Sequence, residues 1–419
     1  MSQDELLNVP EALEMVLEGI QPLPSEEVQL ANANGRVLAQ KIFAQIDLPP
    51  FTNSSMDGFA VRAVDTRGAS QDHPVELDVV GDISAGHVVD IPLGKNQAMR
   101  IMTGGVLPHG ADAVVPVEYT GNPESLVNQK LEPWVLIHKE VSKGEFIRLS
   151  GQDVHRGAPI LSSGHRLRPQ DIGILAALGT SKLSVFQRPL VAVISTGDEL
   201  VEIGKSLSSG QIFDANGYAL CAAVESAGAT PLRLGIVPDE ANKLRQVFDQ
   251  CVKAGVDLIL SSAGVSMGAY DFVRTVIEEH GYLDFWKVNI RPGKPILKGS
   301  YQNVPIMGIP GNPVSALITF EIFVKPLIHR LGGVKSSERG WLFAQILHPV
   351  SSDGRESYLR ACVSQGESGY EVQLVGSQDS GVLSSLVDAN ALVRIPAGKK
   401  TTSKGESVEV WILRQDGVL

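Results

Sequence analysis

From residue 189 to 331, short β-branched runs alternate with helical stretches. "PLVAVIS", "PLRLGIV", "VDLILSS" and "VPIMGI" read as parallel strands. Between them, "NGYALCAAVESAG", "DEANKLRQVFDQCVKAG" and "DFVRTVIEEHG" carry helical spacing, two of them finishing on a glycine suited to a left-handed cap. The alternation predicts a doubly wound α/β domain over 189–335. Ligands of such sheets gather beyond the carboxyl ends of the strands, so the loops after Ser195, Ile236, Ser262 and Ile309 are expected to line one crevice.

Residues 336–419 lose that helical rhythm and show alternating runs such as "YEVQLV" and "SVEVWIL", which predict a C-terminal β domain resembling a barrel. Residues 47–154 are short strands and turns and read as an inserted β-rich domain. On either side, 5–45 and 168–180 carry helical patterns, expected to pack as one helical linking domain of 1–46 plus 155–188. The expected class is therefore α/β and multidomain, and the chain shows no internal repeat or low-complexity tract.

Composition narrows the function classes. The 419 residues suffice for two to four domains, and 43% hydrophobic with 20% charged residues is an ordinary globular balance. A net charge of −11 argues against non-specific nucleic acid or an anionic membrane as partner, so any anion must be held by a local patch. The first residues carry acids where a signal peptide would carry lysines, and the longest apolar run, "ALITFEIFV", is broken by Glu321. Cys221, Cys251 and Cys362 form no C-x-x-C pair, which suggests neither a disulfide framework nor a structural zinc and fits a reducing cytoplasm.

Several stretches could carry chemistry. "STGDELVEIG" ends a strand and sets Asp198 beside Glu199, though a plain polar turn would look the same. "SSAGVSMGAYD" combines Ser262, Gly264 and Gly268, where backbone can approach a ligand, with Asp271 opening a helix as a cap or metal ligand. "WKVNIRPGKPILKG" holds Lys287, Arg291, Lys294 and Lys298 with no acid among them; a solvated strand edge is the bland reading, an oxyanion site the sharper one. "IPGNPVSAL" offers Pro310, Asn312 as helix N-cap, Pro313 at the first helical position and Ser315 one turn inside, an arrangement that serves capping and anion binding alike. In the insertion, "LPPFTNSSMDGFA" fixes Asp57 between a proline-stiffened loop and a glycine, and "TGGV" supplies Thr103. "GRESYLR" and "GSQDSG" add Arg355, Arg360, Ser377 and Ser380.

Taken together, "SSMDGFA", "TGGVLPHGADAVVPVE", "GQDVHRG", "STGDEL", "SSAGVSMGAYD", "IRPGKP" and "PGNPVSAL" resemble the molybdopterin molybdenumtransferase family, the MoeA proteins and the gephyrin E domain, in order and spacing over essentially the whole chain. The resemblance implies an α/β domain like that of MogA, and a homodimer whose active site joins that domain to the insertion of the other subunit. It implies the reaction of adenylylated molybdopterin with molybdate to give molybdenum cofactor and AMP. Asp57 and Thr103 resemble the cross-subunit contribution, and Asp198, Glu199, Asp239 and Asp271 the acids that handle the pyrophosphate link with Mg²⁺, with Glu199, Asp239 and Asp271 as metal ligands. Lys287, Arg291, Lys294, Ser315, Arg360 and Ser380 resemble the anion-binding side, beside the loops of Ser262, Gly264, Gly268, Pro310 and Pro313. A molybdopterin adenylyltransferase and molybdoenzyme maturation factors are the implied partners. Ala263 stands where a second glycine is common in the family, and Arg291 where lysine is usual. Two other readings remain at this point: a MogA-type adenylyltransferase, expected without the insertion and C-terminal domain, and a gephyrin-like scaffold, expected with a fused partner domain and a long linker.

Overall fold

A computed structural model describes residues 6–84, 86–121, 131–264, 272–335, 340–367 and 369–414. The chain divides into two compact units, one of Met1–Gln40, Ser163–Arg168 and Lys182–Leu419, the other of Lys41–Ser162 and Pro169–Ser181.

In the first unit, β1 (Leu190–Thr196), β2 (Thr230–Val237), β3 (Leu258–Ser262), β4 (Gly281–Lys287), β5 (Pro295–Tyr301) and β6 (Val304–Ile309) form one sheet in the order β2-β1-β3-β6-β5-β4. The first four of that order are parallel, while β5 and β4 add an antiparallel edge. The four expected strands are thus present. The added edge comes from the segment carrying the cations, with Lys287 closing β4 and Lys298 within β5, so the strand-edge reading of that segment holds for its flanks. Apolar side chains alternate to either side of β1 and β3, because both faces are covered. Helices α1 (Ala215–Ser226) and α4 (Pro313–Thr319) pack with one face, α2 (Ala241–Lys253) and α3 (Phe272–His280) with the other. The helix Val9–Leu17 joins the first of these cores, its N-terminus closed by Asn8 and Glu11 in a reciprocal capping box.

β7 (Trp341–Ile346), β8 (Glu356–Gly366), β9 (Gly369–Leu374), β10 (Ala391–Ile395) and β11 (Ser407–Ile412) run in the order β8-β9-β7-β11-β10, and β10 pairs back onto β8. That pairing closes a five-stranded barrel around Ala344, Leu359, Ala361, Val372, Val393 and Val410. Closure leaves no free sheet edge among these strands.

The second unit is built on a five-stranded sheet, ordered Ala113–Pro116, Gly58–Val61, Gln97–Ile101, Val75–Ile83, Trp134–Ile137, with apolar clusters on both faces. The helix Pro169–Ala177 groups with this unit, as do residues 41–45, while Met1–Gln40 fall in the other. What pairs with the first forty residues is a strand, Lys182–Phe186, antiparallel to Ser25–Gln29. Among the described residues no helix is long and apolar enough to cross a membrane.

The Arg291–Pro295 loop is pressed onto α4. Gly293 has φ +105°, and a Cβ there would lie 2.3 Å from Cγ2 of the buried Thr319. Gly293→Ala is therefore expected to destabilise the first unit by about 2–5 kcal/mol, from left-handed strain plus overpacking. Urea unfolding followed by intrinsic fluorescence checks this, and an unchanged midpoint would contradict it.

Candidate active site

The ends of β1, β2, β3 and β6 stop in register: Ser195 lies opposite Ile236 and Ser262, and Ser262 opposite Ile309. The loops that follow line one crevice of about 520 Å³, as the doubly wound pattern predicts. Glu199, Asp239, Ser262, Gly264, Pro310 and Pro313 all line it. Asp198 joins them through Oδ1, which accepts the Asp239 backbone N–H at 3.3 Å. Burial, with the nearby Asp198 and Glu199 carboxylates, pushes the Asp239 carboxyl above its ordinary range. Hard oxygen donors of this kind suit a divalent cation such as Mg²⁺, which would relieve their repulsion. Among the described residues no three such side chains stand close enough to hold a metal by themselves. Gly268 and Asp271 lie outside the described residues.

Sequence reasoning missed the floor of this crevice. Asp214 and Asn216, at the start of α1, both line it. The Asn216 amide donates to Ser262 Oγ and to the Gly311 carbonyl, each at 2.7 Å, tying the β3 and β6 loops together. Asp214 caps α1 by accepting from Gly217 N–H at 2.8 Å, and also accepts from Ser195 Oγ at 2.8 Å and Arg233 Nη2 at 2.7 Å. Asp followed at the third position by a helical amide in "FDANGY" is a cap signature and could have located Asp214. Nothing local marks Asn216 or Arg233. Burial alone would weaken the Arg233 cation, but hydrogen bonds to Asp214 and Glu202 hold its pKa above the ordinary value.

The cations divide. Lys298 is buried and paired with Asp284 at 2.7 Å, so it is withdrawn from the expected oxyanion cluster; β4 and β5 run side by side and bring that acid to it. Arg291, partly exposed, lies 3.9 Å from Asp353, whose carboxyl is held low first by its hydrogen bond to Arg355. Lys294 precedes Pro295 of the crevice wall, and its ammonium has no partner among the described residues. Lys287 ends β4 opposite Pro295.

A loop of the C-terminal region meets Asn312 of the crevice wall. Arg360, wholly buried, donates to Ser385 Oγ at 3.1 Å and to the carbonyls of Ser377 and Asp379 at 2.8 and 2.9 Å, fixing the loop that bears Ser380. Asn312 occupies the N-cap of α4, but its side chain makes no cap bond and instead donates to Ser380 Oγ at 2.9 Å. Ser315 is buried in the first turn of α4.

Asp57 and Thr103 belong to the second unit. Asp57 Oδ1 accepts from Thr103 N–H at 2.6 Å and Thr103 Oγ1 at 2.7 Å, on exposed turns, and its other oxygen has no partner among the described residues. Gly58 is required beside it, since a Cβ would stand 2.0 Å from the Val115 carbonyl oxygen.

A pocket at the switch of a parallel sheet, walled by acids and bordered by cations, defines a ligand-binding α/β protein elaborated by a barrel and a β-rich insertion. Residues 7–179 match the MoeA N-terminal region (domain I and II), 192–330 a probable molybdopterin binding domain, and 344–413 the MoeA C-terminal region (domain IV). The chain belongs to the MoeA family. It is 38% identical over 396 residues to a molybdopterin molybdenumtransferase of Nostoc sp., covering 92% of this chain and 88% of that one. A molybdopterin molybdenumtransferase of Haemophilus influenzae is 35% identical over 410 residues, 97% and 98% of the two chains. The crystal structure of a molybdopterin biosynthesis MoeA protein from Pyrococcus horikoshii superposes with a TM-score of 0.81 at 29% identity, covering 97% of this chain and 100% of that one.

Two outcomes are expected. Asp239→Asn should stabilise the protein near neutral pH while impairing function. A carboxyl raised in the folded state contributes stability below its unfolded pKa of 3.8 that is lost as pH rises through the folded value, so the variant's advantage should vanish in acid. Melting curves at a series of pH values check the sign. Ala263 has φ +70°, where glycine is unstrained. Ala263→Gly should therefore stabilise by about 0.5–1 kcal/mol, the relief of left-handed strain exceeding the added chain entropy; chemical denaturation reads it, and a loss of stability would contradict the strain.

Proposed function

We propose that the protein is a molybdopterin molybdenumtransferase that inserts molybdate into adenylylated molybdopterin, breaking the link between the two phosphates, releasing AMP and forming molybdenum cofactor. The observation that carries this reading is the crevice itself, where Glu199 and Asp239 have no cationic partner among the described residues while Lys294 lies at its edge beside Pro295. The shared name of its full-length relatives supports the reading. Ser262, Asn216 and the loops at Gly264 and Pro310 offer hydroxyl, amide and backbone groups to a pterin or nucleotide. Lys287, Arg291 and Lys294 hold the oxyanion, with the Ser315 and Ser380 hydroxyls at the N-terminus of α4. Glu199 and Asp239, with Asp271, would hold Mg²⁺, which when bound neutralises the bridging phosphates. Asp198 orients the Asp239 loop through its backbone.

We further propose a homodimer acting in the cytoplasm, in which the Asp57–Thr103 turn of one subunit completes the crevice of the other. Its support is an exposed carboxylate already fixed through one oxygen by Thr103 and presenting the other. Fixing it beforehand avoids an ordering cost at each encounter. An adenylyltransferase supplying the adenylylated pterin and maturation factors collecting the product are the partners this chemistry requires.

The deciding experiment incubates purified protein with adenylylated molybdopterin, molybdate and Mg²⁺. Consumption of both substrates with release of AMP is expected; no molybdate-dependent AMP release would overturn the reading in favour of an adenylyltransferase or a scaffold. In the same assay Arg291→Ala should raise the molybdate requirement by roughly 10- to 150-fold, the worth of a charge-assisted contact, and Arg291→Lys by much less. If pterin affinity collapses instead and molybdate dependence is unmoved, Arg291 serves the pterin phosphate. For the dimer, mixing Asp57→Ala with Glu199→Ala protein should restore part of the lost activity, because one mixed site is intact. Verified heterodimers that stay inactive would exclude the shared site.

A further inference from the structure

We propose that Trp286 is a positioning residue for the oxyanion edge of the crevice, its ring setting where the Lys287 ammonium rests. The inference rests on the reading of Lys287 as an anion-holding cation. Trp286 lies buried in β4, packed in one apolar cluster with Val273, Val276 and Ile277 of α3. Its ring centroid is 4.0 Å from Lys287 Nζ and 4.2 Å from Arg274 Cζ. Both distances fall well inside the range at which an aromatic quadrupole attracts a cation, and tryptophan gives the strongest such contact.

The indole N–H is no competitor for this role. Trp286 Nε1 is buried and has no hydrogen-bond partner among the described residues, whereas a buried indole ordinarily finds one. The π face is therefore what Trp286 offers its neighbours. Arg274 is also held by Glu278 at 2.7 Å within α3, and both cations keep their charge within reach of the ring face. An apolar side chain of similar size would fill the same space but would not attract the ammonium. Lys287 lies opposite Pro295 in the β4–β5 pair, and Pro295 lines the crevice, so the charge whose position the ring narrows belongs to a residue beside the crevice.

The test compares Trp286→Leu, which fills space without a π face, with Trp286→Phe, which keeps one, each alone and combined with Lys287→Met. The readouts are AMP release against molybdate concentration, kcat, separately measured affinity for adenylylated molybdopterin, and melting temperature. Trp286→Leu is expected to raise the half-saturating molybdate concentration by about 3- to 30-fold, with Trp286→Phe recovering most of it although both lose thermal stability. Affinity for the pterin and kcat should stay within about 2-fold, and in the Lys287→Met background the leucine effect should shrink to within about 2-fold, because the coupled partner is gone. Equal behaviour of the leucine and phenylalanine variants, or a leucine effect undiminished in the Lys287→Met background, would mean that Trp286 only packs, and the inference fails while the proposed function stands. If Lys287→Met alone leaves molybdate dependence unchanged, the anion-site reading of Lys287 falls and takes this inference with it. Should the leucine variant not fold, Trp286→Met carries the same comparison.

Discussion

The Asp214 carboxylate is fully enclosed and accepts from Ser195 Oγ, Gly217 N–H and Arg233 Nη2, at 2.7 to 2.8 Å. Its donors come from the end of β1, the first turn of α1 and β2, so one buried charge holds three elements of the crevice wall in register. Such a group is costly to strand, and removing its cationic partner from a buried pair typically costs about 3–5 kcal/mol. Arg233 extends the tie outward: Nη2 also reaches both Glu202 oxygens at 3.0 Å, and its Cζ lies 4.3 Å from the Tyr218 ring. The short pairing of Leu200–Val201 with Ile212–Phe213, which contributes Leu200, Ile212 and Phe213 to the crevice, is thus closed at its base.

Around that frame the charges are sorted by how they are satisfied. Lys298 and Arg360 are buried and committed, one to Asp284, the other to a loop of the barrel. Arg291, Lys294 and the acids Glu199 and Asp239 stay accessible, and burial with the neighbouring Asp198 and Glu199 carboxylates pushes the Asp239 carboxyl up. A folded protein tolerates such unbalanced groups where a ligand of opposite charge can offset them. The barrel takes part because Arg360 fixes the loop whose Ser380 meets Asn312 at the mouth of α4. Asn312 gives its amide to that contact and leaves the α4 cap to its backbone, where Ala316 N–H reaches the Asn312 carbonyl at 2.9 Å.

Much of this was legible along the chain. Strand and helix periods located β1, β2, β3 and β6 and the three helices between them, because continuous apolar runs and amphipathic stripes are local properties of a doubly wound sheet. The chain order of those elements fixed which loops share the carboxyl edge, and so brought Glu199, Asp239, Ser262 and Pro310 to one crevice. The alternating runs of 336–419 pointed to a barrel-like domain, but its closure depends on β10 returning to β8, a pairing of segments far apart in the chain.

What the sequence by itself determined is the set of elements, their order and the candidate chemistry at strand ends, all governed by spacing within a few residues. Only the tertiary structure decided which charges are free. Lys298 and Lys294 stand four residues apart in one basic run, yet strand pairing buries the first against Asp284 and leaves the second without a partner among the described residues. Asn216 and Arg233 likewise acquire their roles from Gly311 and Asp214, which folding alone brings near. A charge or an amide becomes functional through the partners it lacks or gains, and those partners are set by long-range packing that no local pattern encodes.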